Sequence, residues 1–146
     1  LSAYVVSTGD YTALMSGEEA GKPLSDRVFE RQSAIIHKLA EHGPGIFVGR
    51  CADYILGDYS NCVNTFIYAY KEDRIRRIMK LYKLEEKQAA DKVKKMDRDR
   101  KLYYEARTGR EWGGIEANAM MFNTSLLGID GVVDALEAIY HKWEER

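Results

Sequence analysis

A run of only five residues, Gly45-Ile46-Phe47-Val48-Gly49, does most to limit the folds open to this chain. It is apolar throughout, too short for a buried helix and enclosed by glycines, which reads as a buried strand of a parallel sheet. Helical periodicity surrounds it. From Asp26 to His42 the positions Val28, Gln32, Ile35, Ile36, Leu39 and Ala40 repeat at helical spacing, with Ser25 or Asp26 as the cap and Gly43-Pro44 as the stop. Ala52 to Leu56 reads as a helical turn, and Val63 to Ala69, β-branched and aromatic, as a second strand. Glu72 and Asp73 then open a helix with apolar positions Ile75, Ile78, Met79 and Tyr82, and a second helix over Leu84 to Ala106 turns Ala89, Val93 and Met96 inward. Thr108 to Gly114 breaks that helix. Ala119 to Thr124 is a third strand, and Val132, Leu136, Ile139, Tyr140 and Trp143 mark a terminal amphipathic helix. Strand, helix pair, strand, helix is the order of an α/β fold with a parallel sheet, and 146 residues suit a single domain.

Residues 1–25 give no clear element, only turn chemistry around short apolar pieces. Gly17-x-x-x-Gly21-Lys22-Pro23 resembles a phosphate loop at a glance. Its spacing is one residue short, Pro23 stands where a magnesium-binding hydroxyl is needed, and no strand is read before it, so it is rejected as a Walker A motif. Cys51 and Cys62 are the only cysteines and read as free thiols; with His37, His42 and His141 dispersed, no metal ligands are assigned. No apolar run reaches a membrane span and no signal pattern opens the chain, which points to the cytoplasm.

The candidate functional residues are arginines and their acidic neighbours. With 22 basic against 23 acidic side chains the net charge is −1, so nothing in bulk draws the chain to nucleic acid or membrane, and any phosphate binding rests on local clusters. Arg50 follows directly on the Gly45–Gly49 strand, at the carboxyl end where ligands bind in open α/β sheets; pairing with Asp53 or Asp58 is the competing role. Arg74, Arg77 and Lys80 lie off the apolar stripe of the helix after the second strand. In Lys94 to Tyr104, helical spacing sets Asp97, Arg100 and Tyr104 in one row. A carboxylate fixed beside a guanidinium fork can hold a sugar hydroxyl and a neighbouring phosphate. Tyr103 and Tyr104, about 100° apart on a helix, must divide between a buried and a cleft-lining environment. The bland alternative for the whole stretch is a solvated, alternately charged face.

Taken together, Val48-Gly49-Arg50-Cys51-Ala52-Asp53-Tyr54-Ile55-Leu56, Glu72-Asp73-Arg74-Ile75-Arg76-Arg77, Asp97-Arg98-Asp99-Arg100-x-x-Tyr103-Tyr104, Thr108-Gly109, Trp112-Gly113 and Asn123-Thr124-Ser125 resemble the cytidylate kinase-like family over roughly residues 26 to 140. The resemblance implies a P-loop nucleoside monophosphate kinase fold, a parallel sheet flanked by helices with a helical lid arm, and transfer of the γ-phosphoryl of ATP, with magnesium, to cytidylate or a similar monophosphate. By similarity, Arg50 would hold the acceptor phosphate, Asp97 and Arg100 would contact its sugar and phosphate with Tyr104 on the same face, and Arg74 and Arg77 on the lid arm would close over the transferring group. Two departures stand out. Such kinases carry an amino-terminal strand and Gly-rich phosphate loop that residues 1–146 do not show; the abrupt opening at Leu1 favours a segment missing from the sequence over one the protein has lost. Position 51 is Cys51 where better-known bacterial cytidylate kinases have an acid, which bears on base selectivity. A non-catalytic nucleotide- or anion-binding regulatory module is the alternative, and single-stranded RNA binding through Tyr103, Tyr104 and Trp112 a weaker one, disfavoured by the neutral charge.

Overall fold

The computed structural model describes residues 2–5 and 23–145. The chain divides into two compact units, Leu1–Cys62 and Val63–Arg146, which are taken in turn.

The first unit holds β1 (Ser2–Val5), α1 (Leu24–Glu41), β2 (Gly45–Val48) and α2 (Ala52–Ile55). β1 runs parallel to β2, with Ser2 opposite Gly45 and Val5 opposite Val48. This strand falls where the sequence showed none: four residues without a bounding turn carry too little period to be seen. The Gly17–Lys22 stretch of the rejected phosphate-loop likeness lies outside the described residues. α1 starts earlier than expected, and Ser25 and Asp26 sit within its first turn rather than capping it. Pro23 takes the N-cap position, its carbonyl accepting from the amides of Asp26 (3.0 Å) and Arg27 (3.2 Å). Ile36 is fully buried with Ala52 and Leu56, and Ala40, Phe47, Ile55, Tyr59 and Cys62 pack around them. β2 is therefore a one-sided strand rather than the fully buried one its composition suggests. Phe47 faces this cluster, while Ile46 and Val48, on the opposite face, are 49% and 54% exposed.

The second unit holds β3 (Thr65–Tyr68), α3 (Lys71–Tyr82), α4 (Glu86–Thr108), β4 (Met120–Asn123) and α5 (Thr124–Glu144), with a 3-10 turn at Ile115–Ala117. β3 and β4 pair in parallel, Thr65 opposite Met120 and Tyr68 opposite Asn123. Parallel neighbours need a long crossover, and the helical hairpin of α3 and α4 supplies it. The hairpin turns at Lys83, which takes left-handed angles (φ 53), and α4 opens on a capping box in which the Gln88 side chain accepts from the Glu85 amide (3.3 Å). Ala89 and Val93 are buried as the periodicity predicts, and Lys92 lies 4.5 Å from the Tyr82 ring centre, tying the two helices near the turn. Gly109 closes α4. Beyond it the chain passes so close to β3 that a Cβ at Gly113 would lie 2.9 Å from the Phe66 ring, which meets Trp112 edge-on at 5.5 Å. The Trp112-Gly113 pair thus has a packing reason.

The mixed, parallel-paired architecture expected from the sequence is present, but each strand is four residues long and the described chain is mostly helical. Among the described residues no helix is long and apolar enough to cross a membrane.

Candidate nucleotide-handling site

Arg50 leaves the carboxyl end of β2 in a left-handed turn. Gly49, Arg50 and Cys51 have φ values of 79°, 55° and 58° in succession. An L-residue in that region costs about 1–2 kcal/mol, and here two adjacent non-glycine residues adopt it. Backbone bonds hold the turn in place: the Ala52 amide donates to the Gly49 carbonyl (3.1 Å), and those of Tyr54 (3.0 Å) and Ile55 (2.9 Å) donate to Cys51. The buried Cys51 anchors the bend, and Arg50 sits half-buried at its apex.

In the second unit the antiparallel hairpin sets Arg74 of α3 against Asp97 of α4. The guanidinium grips the carboxylate with both terminal nitrogens, Nη1 to Oδ2 at 2.8 Å and Nη2 to Oδ1 at 2.5 Å. Both side chains remain about a third exposed, at 31% and 30%. The Asp97 carboxylate raises the Arg74 pKa, so the guanidinium keeps its charge. This corrects the expected pairing of Asp97 with Arg100. Arg100 is exposed on the same helix and makes no such pair, whereas Arg74 reaches Asp97 from the facing helix and meets both oxygens. Arg100 and Arg77 are exposed and make no ion pair among the described residues. They stand one turn from Asp97 and Arg74 respectively, Arg77 toward the hairpin turn and Arg100 away from it.

Tyr103 and Tyr104 do divide, and the buried ring is Tyr104, at 9% exposure, while Tyr103 is half-buried. Asp97 and Arg100, expected in one row with it, both reach solvent, whereas Tyr104 packs with the buried face that carries Val93. Its carbonyl takes the Thr108 hydroxyl at 2.8 Å, and Thr108 Oγ1 in turn accepts from the Arg110 amide at 3.0 Å, closing the end of the helix.

The residues that sequence reasoning left without a role are Asn123, Thr124 and Ser125, which stitch together the carboxyl ends of β3 and β4. Asn123 Oδ1 accepts from the Ser125 amide (2.9 Å) and caps α5. Thr124 donates to the Tyr68 carbonyl (3.2 Å), and Ser125 Oγ accepts from the Tyr70 amide (2.8 Å), the residue that opens α3. A bond from Ser125, then one from Arg76, hold the Asp73 carboxyl below the usual carboxylate range. The helix bearing Arg74 and Arg77 therefore starts from a fixed point. Asparagine, threonine and serine straight after an apolar strand are a cap signal that could have exposed this junction.

Among the described residues no three His, Cys, Asp or Glu side chains form a group that could hold a metal. Asp73 and Asp97 are occupied by Ser125, Arg76 and Arg74. The described residues do not fit a resident magnesium site.

The model of the cytidylate kinase-like family matches residues 3–126, which spans both units and most of the chain. The chain belongs to the cytidylate kinase-like family. No curated protein matches it. Among solved structures it is similar to the crystal structure of an uncharacterized protein from Eubacterium ventriosum, with a TM-score of 0.76 and 24% identity, covering 99% of this chain and 84% of that one. That likeness shows a shared fold. The hairpin that carries Arg74 and Arg77 follows the carboxyl end of β3.

Proposed function

We propose that the protein is a nucleoside monophosphate kinase that transfers the γ-phosphoryl of ATP to a phosphate oxygen of cytidylate or a similar monophosphate, in the cytoplasm, within a P-loop kinase fold. The family match over residues 3–126 carries this reading. The side chains support it, because phosphoryl transfer asks little covalent chemistry of the protein and depends on positioning and on cations around a spreading negative charge. In this reading Arg50 holds the acceptor phosphate and Asp97 and Arg100 contact its sugar and phosphate. Arg74 and Arg77, on the hairpin that serves as the lid arm, attend the moving phosphoryl group. Tyr104, being buried, supports the Asp97–Arg100 helix from behind. Magnesium arrives with ATP as the substrate's counter-ion.

The test is a coupled assay of ADP formation with ATP, magnesium and each of cytidylate, deoxycytidylate, uridylate and adenylate. Acceptor-dependent ADP with cytidylate or a close analogue is expected. Binding of monophosphate without turnover would overturn the kinase reading and leave a nucleotide-binding module.

A further inference from the structure

The Arg74–Asp97 pair presents a contradiction within the proposed function, and the inference here rests on that reading. A guanidinium meant for a phosphoryl group is already filled by a carboxylate. The geometry is the same one a phosphate would use, two parallel N–H···O bonds to two oxygens of one anion. Asp97 is thus placed as an internal stand-in for a phosphate. Nothing buries the pair beyond exchange: each partner is about a third exposed, so a competing anion can reach the guanidinium from solvent.

We infer that Asp97 is a latch on Arg74: in the ligand-free protein its carboxylate occupies the guanidinium fork, and a polyphosphate displaces it there, anion for anion. The arginine has an anionic partner both before and after the exchange. It also keeps the hairpin closed on itself at its base when no nucleotide is bound, because the two partners sit on opposite helices, 23 residues apart. Once displaced, the Asp97 carboxylate has two oxygens available to accept from hydroxyl groups, which a nucleoside sugar has and a bare polyphosphate lacks. Arg77, one turn farther along α3 and without an ion pair among the described residues, carries no such latch. The two arginines therefore differ in kind: one is permanently presented, the other released by ligand.

The experiment is calorimetric titration with inorganic tripolyphosphate of the wild-type protein, Asp97→Asn, Arg74→Gln and the double variant, with Asp99→Asn as a control that removes the same charge from an exposed neighbouring position of α4. Opening the latch should tighten tripolyphosphate binding by about tenfold or less, the scale of a partly exposed ion pair. The gain should vanish in the double variant and be absent in Asp99→Asn. An Asp97→Asn affinity equal to wild type, a gain that survives Arg74→Gln, or an equal gain in Asp99→Asn overturns the latch. A second measurement needs no variant: in the wild-type protein the carboxyl carbon resonance of Asp97 must move as tripolyphosphate saturates, and a stationary resonance under saturation also overturns it. Tripolyphosphate exchange at Arg74 without any acceptor-dependent ADP formation would leave the latch standing and remove the kinase, while turnover without exchange would do the opposite.

Discussion

Arg50 and Cys51 hold backbone angles that most residues avoid, and they do so next to the side chain proposed to grip the acceptor phosphate. Strain of that sort persists where the surroundings over-determine it, and it is frequent at ligand clamps. Comparing two substitutions at one position separates the backbone from the side chain. Arg50→Gly and Arg50→Ala both delete the guanidinium and should both lose about 1.5–3 kcal/mol of monophosphate binding, the worth of a charge-assisted contact. Glycine alone relieves the left-handed angle, so by urea denaturation Arg50→Gly should be about 1 kcal/mol more stable than Arg50→Ala. An alanine variant as stable as the glycine one would mean the turn carries no strain. Asp73 gives a second residue-level prediction, with a sign. Its folded pKa is depressed, first by Ser125 and then by Arg76, so its contribution is present above the unfolded carboxylate pKa and fades as pH falls through the lower folded value. Ser125→Ala should therefore destabilise the protein at neutral pH and by less in acid, below the usual carboxylate range. A gap that stays constant in thermal melts from neutral to strongly acid pH would show that the Ser125–Asp73 bond does not matter. At this scale the sequence disclosed which residues were present but not which met. Spacing within one helix can pair Asp97 only with residues on that helix, and its partner, Arg74, arrives from the other helix of the hairpin.

The elements themselves were legible where they were long enough to show a period. α1 and α4 bury the positions their apolar spacing indicated, Ile36 in one and Ala89 and Val93 in the other. β1 was hidden because four residues paired to a distant strand leave no local mark, and β2 misled because a continuous apolar run does not say whether one face or two are covered. α5 shows an interruption that periodicity does not register. Its apolar stripe from Val132 to Trp143 is regular, yet Gly128 breaks the helix after one turn with φ 72 and ψ 172. That region is essentially open to glycine alone, at about 1–3 kcal/mol for other residues. No neighbouring atom lies within 4 Å of where a Cβ would stand, so a substitution there would report backbone strain without a clash. Gly128→Ala should cost about 1–3 kcal/mol in chemical denaturation. A cost near zero would mean that α5 can run straight through and that the break is not required by its attachment to Asn123 and Ser125.

The molecule as a whole offers a nucleotide no bulk attraction, with 22 basic and 23 acidic side chains, so its affinity for phosphates must reside in particular arginines. This makes surface charge a control. Lys142, 82% exposed and paired with Glu145 at 2.6 Å, contributes the same formal charge as Arg77, and a net-field mechanism would make the two equivalent. The proposed function makes them unlike. Arg77 lies on the lid arm and meets the transferring group only on closure, so it stabilises the transition state more than the bound ground state. Arg77→Ala should lower kcat and kcat/KM together, by tenfold or more if about 1.4 kcal/mol of transition-state stabilisation is lost. The KM for the acceptor should hardly change. Lys142→Gln should leave all three parameters where they were, at low salt as at physiological salt, since a screened surface charge outside the hairpin has no phosphate to meet. Steady-state kinetics of the two variants side by side decide the matter: a raised acceptor KM with normal kcat in Arg77→Ala would place that arginine in ground-state binding, and an equal loss in Lys142→Gln would return the effect to the field of the whole protein.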